Sequence, residues 1–186
     1  MTESKINSDY RIMLLNVDVE PSSVAPIMME ILRINELDDK EEEEKKDYKR
    51  EPIKIYIDSY GGCVKDMWTL VHCIKTSKTP VYTYCTSNAS SSAAFILIAR
   101  HKRFAYTYSE VMIHPFSGGS YGQYKDLVEN AEVLERQMDK LWNYIVQNTK
   151  IPRETLDSLA DHRRDWYIFA QEALELGIVD EVIDSE

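Results

Sequence analysis

Ile53-Lys54-Ile55-Tyr56-Ile57-Asp58-Ser59-Tyr60-Gly61-Gly62 is the stretch that decides the fold class. Its first five residues alternate in the manner of a half-buried strand, and the strand runs into a Gly-Gly turn. An amphipathic helix from Val64 to Thr76 follows. Pro80 to Thr86, β-branched and aromatic, then reads as another strand. Strand and helix keep alternating on either side, which makes the class α/β with crossover units. Towards the N-terminus, Arg11 to Val19 opens with Ile12-Met13-Leu14-Leu15 and reads as a buried strand. Ser22 or Ser23 is placed to cap a helix that runs to about Ile34 through Val24, Ile27, Met28, Ile31 and Leu32. Residues 36–51 (Glu36 to Glu51) carry a charged run without apolar periodicity. They read as a surface insert, a solvated loop or frayed helix end with no share in the core.

Towards the C-terminus, Asn88-Ala89-Ser90-Ser91-Ser92 forms a small-residue elbow leading into the apolar helix Ala93 to Ala99. Short strands are expected around Arg103–Ala105 and Val111–Ile113, then a glycine loop at Gly118, Gly119 and Gly122. Leu127, Ala131, Leu134, Met138, Leu141 and Ile145 step by 4, 3, 4, 3, 4. That is a narrow apolar seam on a helix of about 25 residues, roughly 37 Å long. Such a seam is too long for a small domain to cover and calls for a partner surface, most simply a second copy of the chain. Pro152 opens a short helix, Ala170 to Leu176 forms another that Gly177 ends, and Val179 to Ile183 is the last strand. No internal repeat or second domain is visible, so residues 1–186 read as one domain.

The chain of 186 residues is 44% hydrophobic and 29% charged, which excludes a collagen-like or wholly disordered protein. Its net charge of -10 argues against a nucleic-acid binder. The excess acid is local: residues 36–51 have a net charge of -4 and residues 171–186 a net charge of -6, so it implies neither a basic substrate nor a charged cleft. Cys63, Cys73 and Cys85 form no C-x-x-C pair, which fits a reduced, cytoplasmic setting better than a disulfide framework or thiolate metal site. No run approaches the ~18 apolar residues of a membrane span.

Three segments carry the residue types of a nucleophilic hydrolase. The elbow at 87–92 offers a serine at a helix start, where backbone N–H groups stabilise a developing oxyanion. His114 ends the strand Val111-Met112-Ile113, and Pro115 biases it to an extended conformation. Asp165 sits in Arg163-Arg164-Asp165-Trp166-Tyr167 and is of the type that orients an imidazole. Taken singly, each has an ordinary alternative: a helix cap, a structural histidine, an ion-paired aspartate.

Taken in order, the motifs resemble the proteolytic subunit of the Clp protease, the ClpP family of serine peptidases. They are Ile55-Tyr56-Ile57-Asp58-Ser59-Tyr60-Gly61-Gly62, Ala89-Ser90-Ser91-Ser92-Ala93-Ala94-Phe95, Val111-Met112-Ile113-His114-Pro115, Gly118-Gly119-Ser120-Tyr121-Gly122-Gln123, and Arg164-Asp165 through Gly177-Ile178-Val179-Asp180. The resemblance covers about Arg11 to Val182. It implies a ClpP/crotonase-like fold of repeated β-β-α crossover units with a protruding handle helix in 117–149. It also implies a serine endopeptidase acting on unfolded polypeptides inside an oligomeric chamber. Carried over by residue, the catalytic triad falls on Ser91, His114 and Asp165 (rather than Asp161). The oxyanion hole falls on the backbone N–H groups of Gly62 and Ser92, with Gly62 bare so that substrate backbone can approach. Gly118 and Gly119 would bind an extended substrate strand. The family assembles as two stacked heptameric rings, fed by a hexameric ATP-dependent AAA+ unfoldase that docks at apolar positions matched here by Tyr56 and Phe104. No cofactor or metal is implied for this chain, and no nucleic-acid or membrane partner.

The chain departs from the family in several places. The usual G-x-A-A-S-M-G-A elbow is replaced by Ser87-Asn88-Ala89-Ser90-Ser91-Ser92-Ala93-Ala94, without glycine. Lys54 stands where an aromatic is common, and about ten residues precede the first strand where the family carries a gating segment. These departures leave two alternatives: a non-catalytic ring component, or a stand-alone protease of the same fold, such as a viral maturation enzyme.

Overall fold

The computed structural model describes residues 11–99, 101–115 and 123–184. Its elements in chain order are β1 (Ile12–Leu15), α1 (Pro21–Glu44), β2 (Ile53–Ser59), α2 (Val64–Thr76), β3 (Val81–Ser90), α3 (Ser92–Ile98) and β4 (Lys102–Tyr106). They continue with β5 (Glu110–Ile113), α4 (Tyr124–Asn148), α5 (Arg153–His162), β6 (Trp166–Phe169), α6 (Ala170–Glu175) and β7 (Glu181–Ile183). Five strands lie in the order β1-β2-β3-β4-β7, each parallel to its neighbour. The mixed α/β class expected from the crossover pattern is the one observed.

β3 is the pivot. Its first half pairs with β4 (Tyr82↔Lys102 to Cys85↔Ala105) and its last three residues pair with β5 (Asn88↔Glu110 to Ser90↔Met112). One ten-residue strand therefore serves two neighbours on the same edge, and β5 is free to carry β6 antiparallel on its far side. β3 also absorbs part of the expected elbow: residues 87–90 are strand, and the turn is compressed into Ser91. The strand at β6 was not expected from Trp166-Tyr167-Ile168-Phe169. An unbroken apolar run carries no period of two, and its extended form depends on the ladder to β5.

Ile53, Ile55 and Ile57 of β2 are fully buried, as are Met67, Leu70 and Ile74 of α2. They form a single core with Ile27, Ile31 and Ile34 of α1 and with Ala93, Ala94, Phe95, Ile96, Leu97 and Ile98 of α3. On the opposite pleat, Tyr56, Tyr84 and Phe104 stand at matched register positions on three adjacent strands and stack, with centroids 4.7 and 4.5 Å apart.

Of the two forms expected for the charged segment, a solvated loop or a frayed helix end, its first half is a helix end, but one with a buried residue in it. α1 continues to Glu44, and Asp38 within it is completely buried. Arg11 grips both oxygens of Asp38 at 2.8 and 2.5 Å, while Tyr48 and Thr79 donate to them at 2.6 and 2.5 Å. Arg50 ties the returning chain to Asp39 and Glu42. A buried charge is tolerated because every lone pair is met. Burial alone would raise the Asp38 carboxyl, but the donors from Arg11, Thr79 and Tyr48 outweigh it and hold the group at about 2. A depressed folded value means that this contribution is complete above the unfolded value of ~4 and is lost as pH falls towards 2, a change of about 2.5 kcal/mol. Asp38→Asn is accordingly expected to lower the unfolding free energy by about 3 kcal/mol at neutral pH. It should also flatten the loss of stability between pH 4 and 2. Urea titrations at stepped pH measure both, and a variant with wild-type stability would contradict the assignment.

α4 is anchored at one end only. Along the seam, Leu141 and Ile145 are buried and Met138 packs against the core, whereas Leu127 and Ala131 are exposed and Leu134 is half-exposed. Half of the apolar seam thus packs on the core and half stands uncovered. Among the described residues, no helix is long and apolar enough to cross a membrane.

Candidate active site

Three strand ends converge. β2 ends at Ser59, beside Ala89, and passes into Gly61-Gly62. β3 ends at Ser90, opposite Met112, and β5 ends at Ile113. The carboxyl ends of parallel strands are where an open α/β sheet leaves room for a ligand. The Ser91 N–H donates to the carbonyl of Met112 at 2.8 Å, which locks the elbow to the strand that delivers His114.

The three consecutive serines are in different situations. Ser90 is buried and donates to Asn88 Oδ1 at 2.6 Å. Ser92 is buried and donates to the Gly62 carbonyl at 2.8 Å. Ser91 is half-exposed, and its Oγ lies 2.8 Å from His114 Nε2. With the ring proton on Nδ1, the hydroxyl donates to Nε2, the arrangement in which an imidazole removes the proton of a serine. Ser91 has φ 53° and ψ -125°, a conformation that L-residues avoid. Strain of this kind costs about 1–3 kcal/mol and persists where the surroundings over-determine it. A sharp strand-to-helix turn of this type lifts a hydroxyl clear of the sheet.

The elbow has no glycine of its own; the glycine stands opposite. A Cβ on Gly61 would come within 2.6 Å of the Ser90 carbonyl oxygen, 2.8 Å of Ser91 Cβ and 2.9 Å of the Ser92 nitrogen, and Gly61 has φ +99°. Close packing at the turn is thus supplied by Gly61. Gly62 has a structural reason of its own. The space a side chain would fill is taken by Val19, whose carbonyl oxygen would lie 2.4 Å from the added Cβ. Val19 and Gly62 form a parallel bridge that extends the β1–β2 pairing. The protein's own backbone at Val19 is thus enough by itself to require a glycine here. Among the described residues, neither the Gly62 N–H nor the Ser92 N–H has an acceptor. Both residues line the same cleft as Ser91 and His114.

Asp165 is not joined to the pair. The β5–β6 ladder runs from Glu110↔Phe169 to Ile113↔Trp166, so His114 and Asp165 are the next positions in register. Yet Asp165 is exposed and makes no hydrogen bond or ion pair among the described residues. It leaves α5 after a left-handed cap at Arg163, with the Arg164 N–H on the Leu159 carbonyl. Gly118 and Gly119 lie outside the described residues.

The cleft itself has a volume of about 540 Å³. Met67, Trp68, Phe95 and Leu141 supply its apolar wall; Lys65, Gln137 and Lys140 also line it, at positions that no contiguous motif marks. α4 forms one side because its base is pinned to α3. Tyr144 Oη donates to the Phe95 carbonyl at 3.2 Å, and the Tyr144 ring meets Trp68 edge-on at 5.3 Å. The net acidity of the chain does not extend to this cleft, which two lysines line from helices far apart in sequence.

The family model described as Clp protease matches residues 6–186 of the chain, from ahead of β1 to the C-terminal residue.

Proposed function

The chain belongs to the Clp protease family, a family of peptidases, and from that premise we propose that it is a serine endopeptidase that cleaves unfolded polypeptides within an oligomeric chamber. The observation that carries this reading is the 2.8 Å hydrogen bond between Ser91 Oγ and His114 Nε2 at a strained elbow. Ser91 attacks the peptide carbonyl while His114 takes its proton and then gives it to the leaving amine. The N–H groups of Gly62 and Ser92 receive the oxyanion, and water, deprotonated by His114, releases the acyl group. Asp165 acts through His114 as a positioning residue, a role supported by its place next in register to His114. Gly118 and Gly119 align substrate as an added strand. No metal or cofactor enters these steps; ATP is spent by a partner unfoldase, docking near Tyr56 and Phe104.

Clp proteases generally form oligomeric rings. For this chain two stacked heptameric rings are part of the proposal, supported by the uncovered half of the α4 seam. A cytoplasmic place of action is supported by three cysteines that are all unpaired. Particle mass by light scattering is expected to be many times the 21.7 kDa of one chain, and a strict monomer would contradict the ring. The separation of Asp165 from His114 favours a second reading, a non-catalytic ring component. A fluorophosphonate probe decides between the two. Labelling of the assembled wild type, absent in Ser91→Ala, is the expected result. An unlabelled wild type would leave only the non-catalytic reading.

A further inference from the structure

Lys65 of α2 and Lys140 of α4 both line the cleft that holds Ser91 and His114, although 75 positions separate them in the chain. Among the described residues neither lysine is ion-paired, and no carboxylate lines the cleft. Asp139, adjacent to Lys140, is held by Arg153 at 2.8 Å and does not neutralise it. The rest of the wall is Met67, Trp68, Phe95 and Leu141. In a chain with a net charge of -10, this cleft is a local reversal of sign.

An apolar wall lined also by two lysines suits a guest with a short apolar stem and an anionic end. Lysine offers three donors and no acceptor, so it gains from a carboxylate and repels a second cation. We propose that Lys65 and Lys140 make the cleft select an acidic side chain, glutamate over its isostere glutamine and over lysine, on the residue whose carbonyl Ser91 attacks. This rests on the peptidase reading and adds a substrate class to it. Both lysines are solvent-exposed, so the gain is that of a screened pair: about fivefold for glutamate over glutamine.

The test uses the assembled full-length protein and fluorogenic peptides that differ only in the final residue, glutamate, glutamine or lysine. kcat/KM is expected to fall in that order, with a Glu:Gln ratio of about five at low salt. The ratio should approach one at about 1 M salt, where charges are screened within ~3 Å. It should also approach one in the Lys65→Gln/Lys140→Gln variant and be retained in Lys65→Arg/Lys140→Arg. Because each ratio is taken within one variant, a change in overall activity does not affect it, and the salt series on wild type stands if a variant fails to fold. A wild-type ratio of one or less, or a ratio that survives the double glutamine change, overturns the selectivity and leaves the peptidase reading in place. Absence of turnover for every peptide together with absence of fluorophosphonate labelling overturns both. Peptidyl phosphonates ending in glutamate or glutamine give the same ratio from labelling rates where turnover is too slow to follow.

Discussion

Ser91→Ala is expected to lower kcat about a millionfold, to a level set by the oxyanion donors and binding alone. The loss is large because the change removes the atom that forms the acyl bond and leaves His114 without the proton it is placed to take. Ser90 and Ser92 cannot substitute, since their hydroxyls are spent on Asn88 and on the Gly62 carbonyl and both are buried. His114→Ala should lose about as much, and the double variant no more than either single one, because the two groups act as a unit. Steady-state hydrolysis of an unstructured peptide reads all three. A Ser91→Ala variant that kept even a hundredth of wild-type kcat would place the chemistry elsewhere.

Asp165→Asn is expected to lower kcat about a thousandfold or more while KM changes little. A carboxylate that orients an imidazole matters to the proton transfers and not to the binding of a peptide strand. An asparagine can present its amide to the ring and favour the wrong tautomer. The position makes this a sharp test, because Asp165 stands next in register to His114 yet is exposed and unbonded. Asp165→Glu should restore part of the lost kcat, and the rate of fluorophosphonate labelling should follow kcat across the series. A wild-type kcat in Asp165→Asn would mean that Ser91 and His114 work as a pair, with Asp165 a surface residue.

Much of the fold is local and could be read directly. The alternation in Ile53–Ile57, the glycine pair after it and the 4-3-4 stepping of Leu127 to Ile145 are each consequences of one element's own periodicity. β2 and α4 lie where those patterns put them. What failed was non-local. α1 runs ten residues past Ile34 because Asp38 finds Arg11, Tyr48 and Thr79, residues brought together only by the sheet. β6 is a strand because β5 lies beside it.

The candidate site divides in the same way. The class of the fold, the family and the residue types that end the strands are legible in the chain, since strand ends, elbows and glycine turns are written in short contiguous motifs. The resemblance already put the nucleophile on Ser91 and its base on His114; what the packed structure adds is their 2.8 Å contact, the close approach of Val19 to Gly62 and the separation of Asp165. It also brought Lys65 and Lys140 into one cleft. Each of these is a distance between side chains or backbones from separate elements. Such distances follow from how β3 is shared between β4 and β5 and how α4 is pinned to α3. No residue's own neighbours in the chain contain that information.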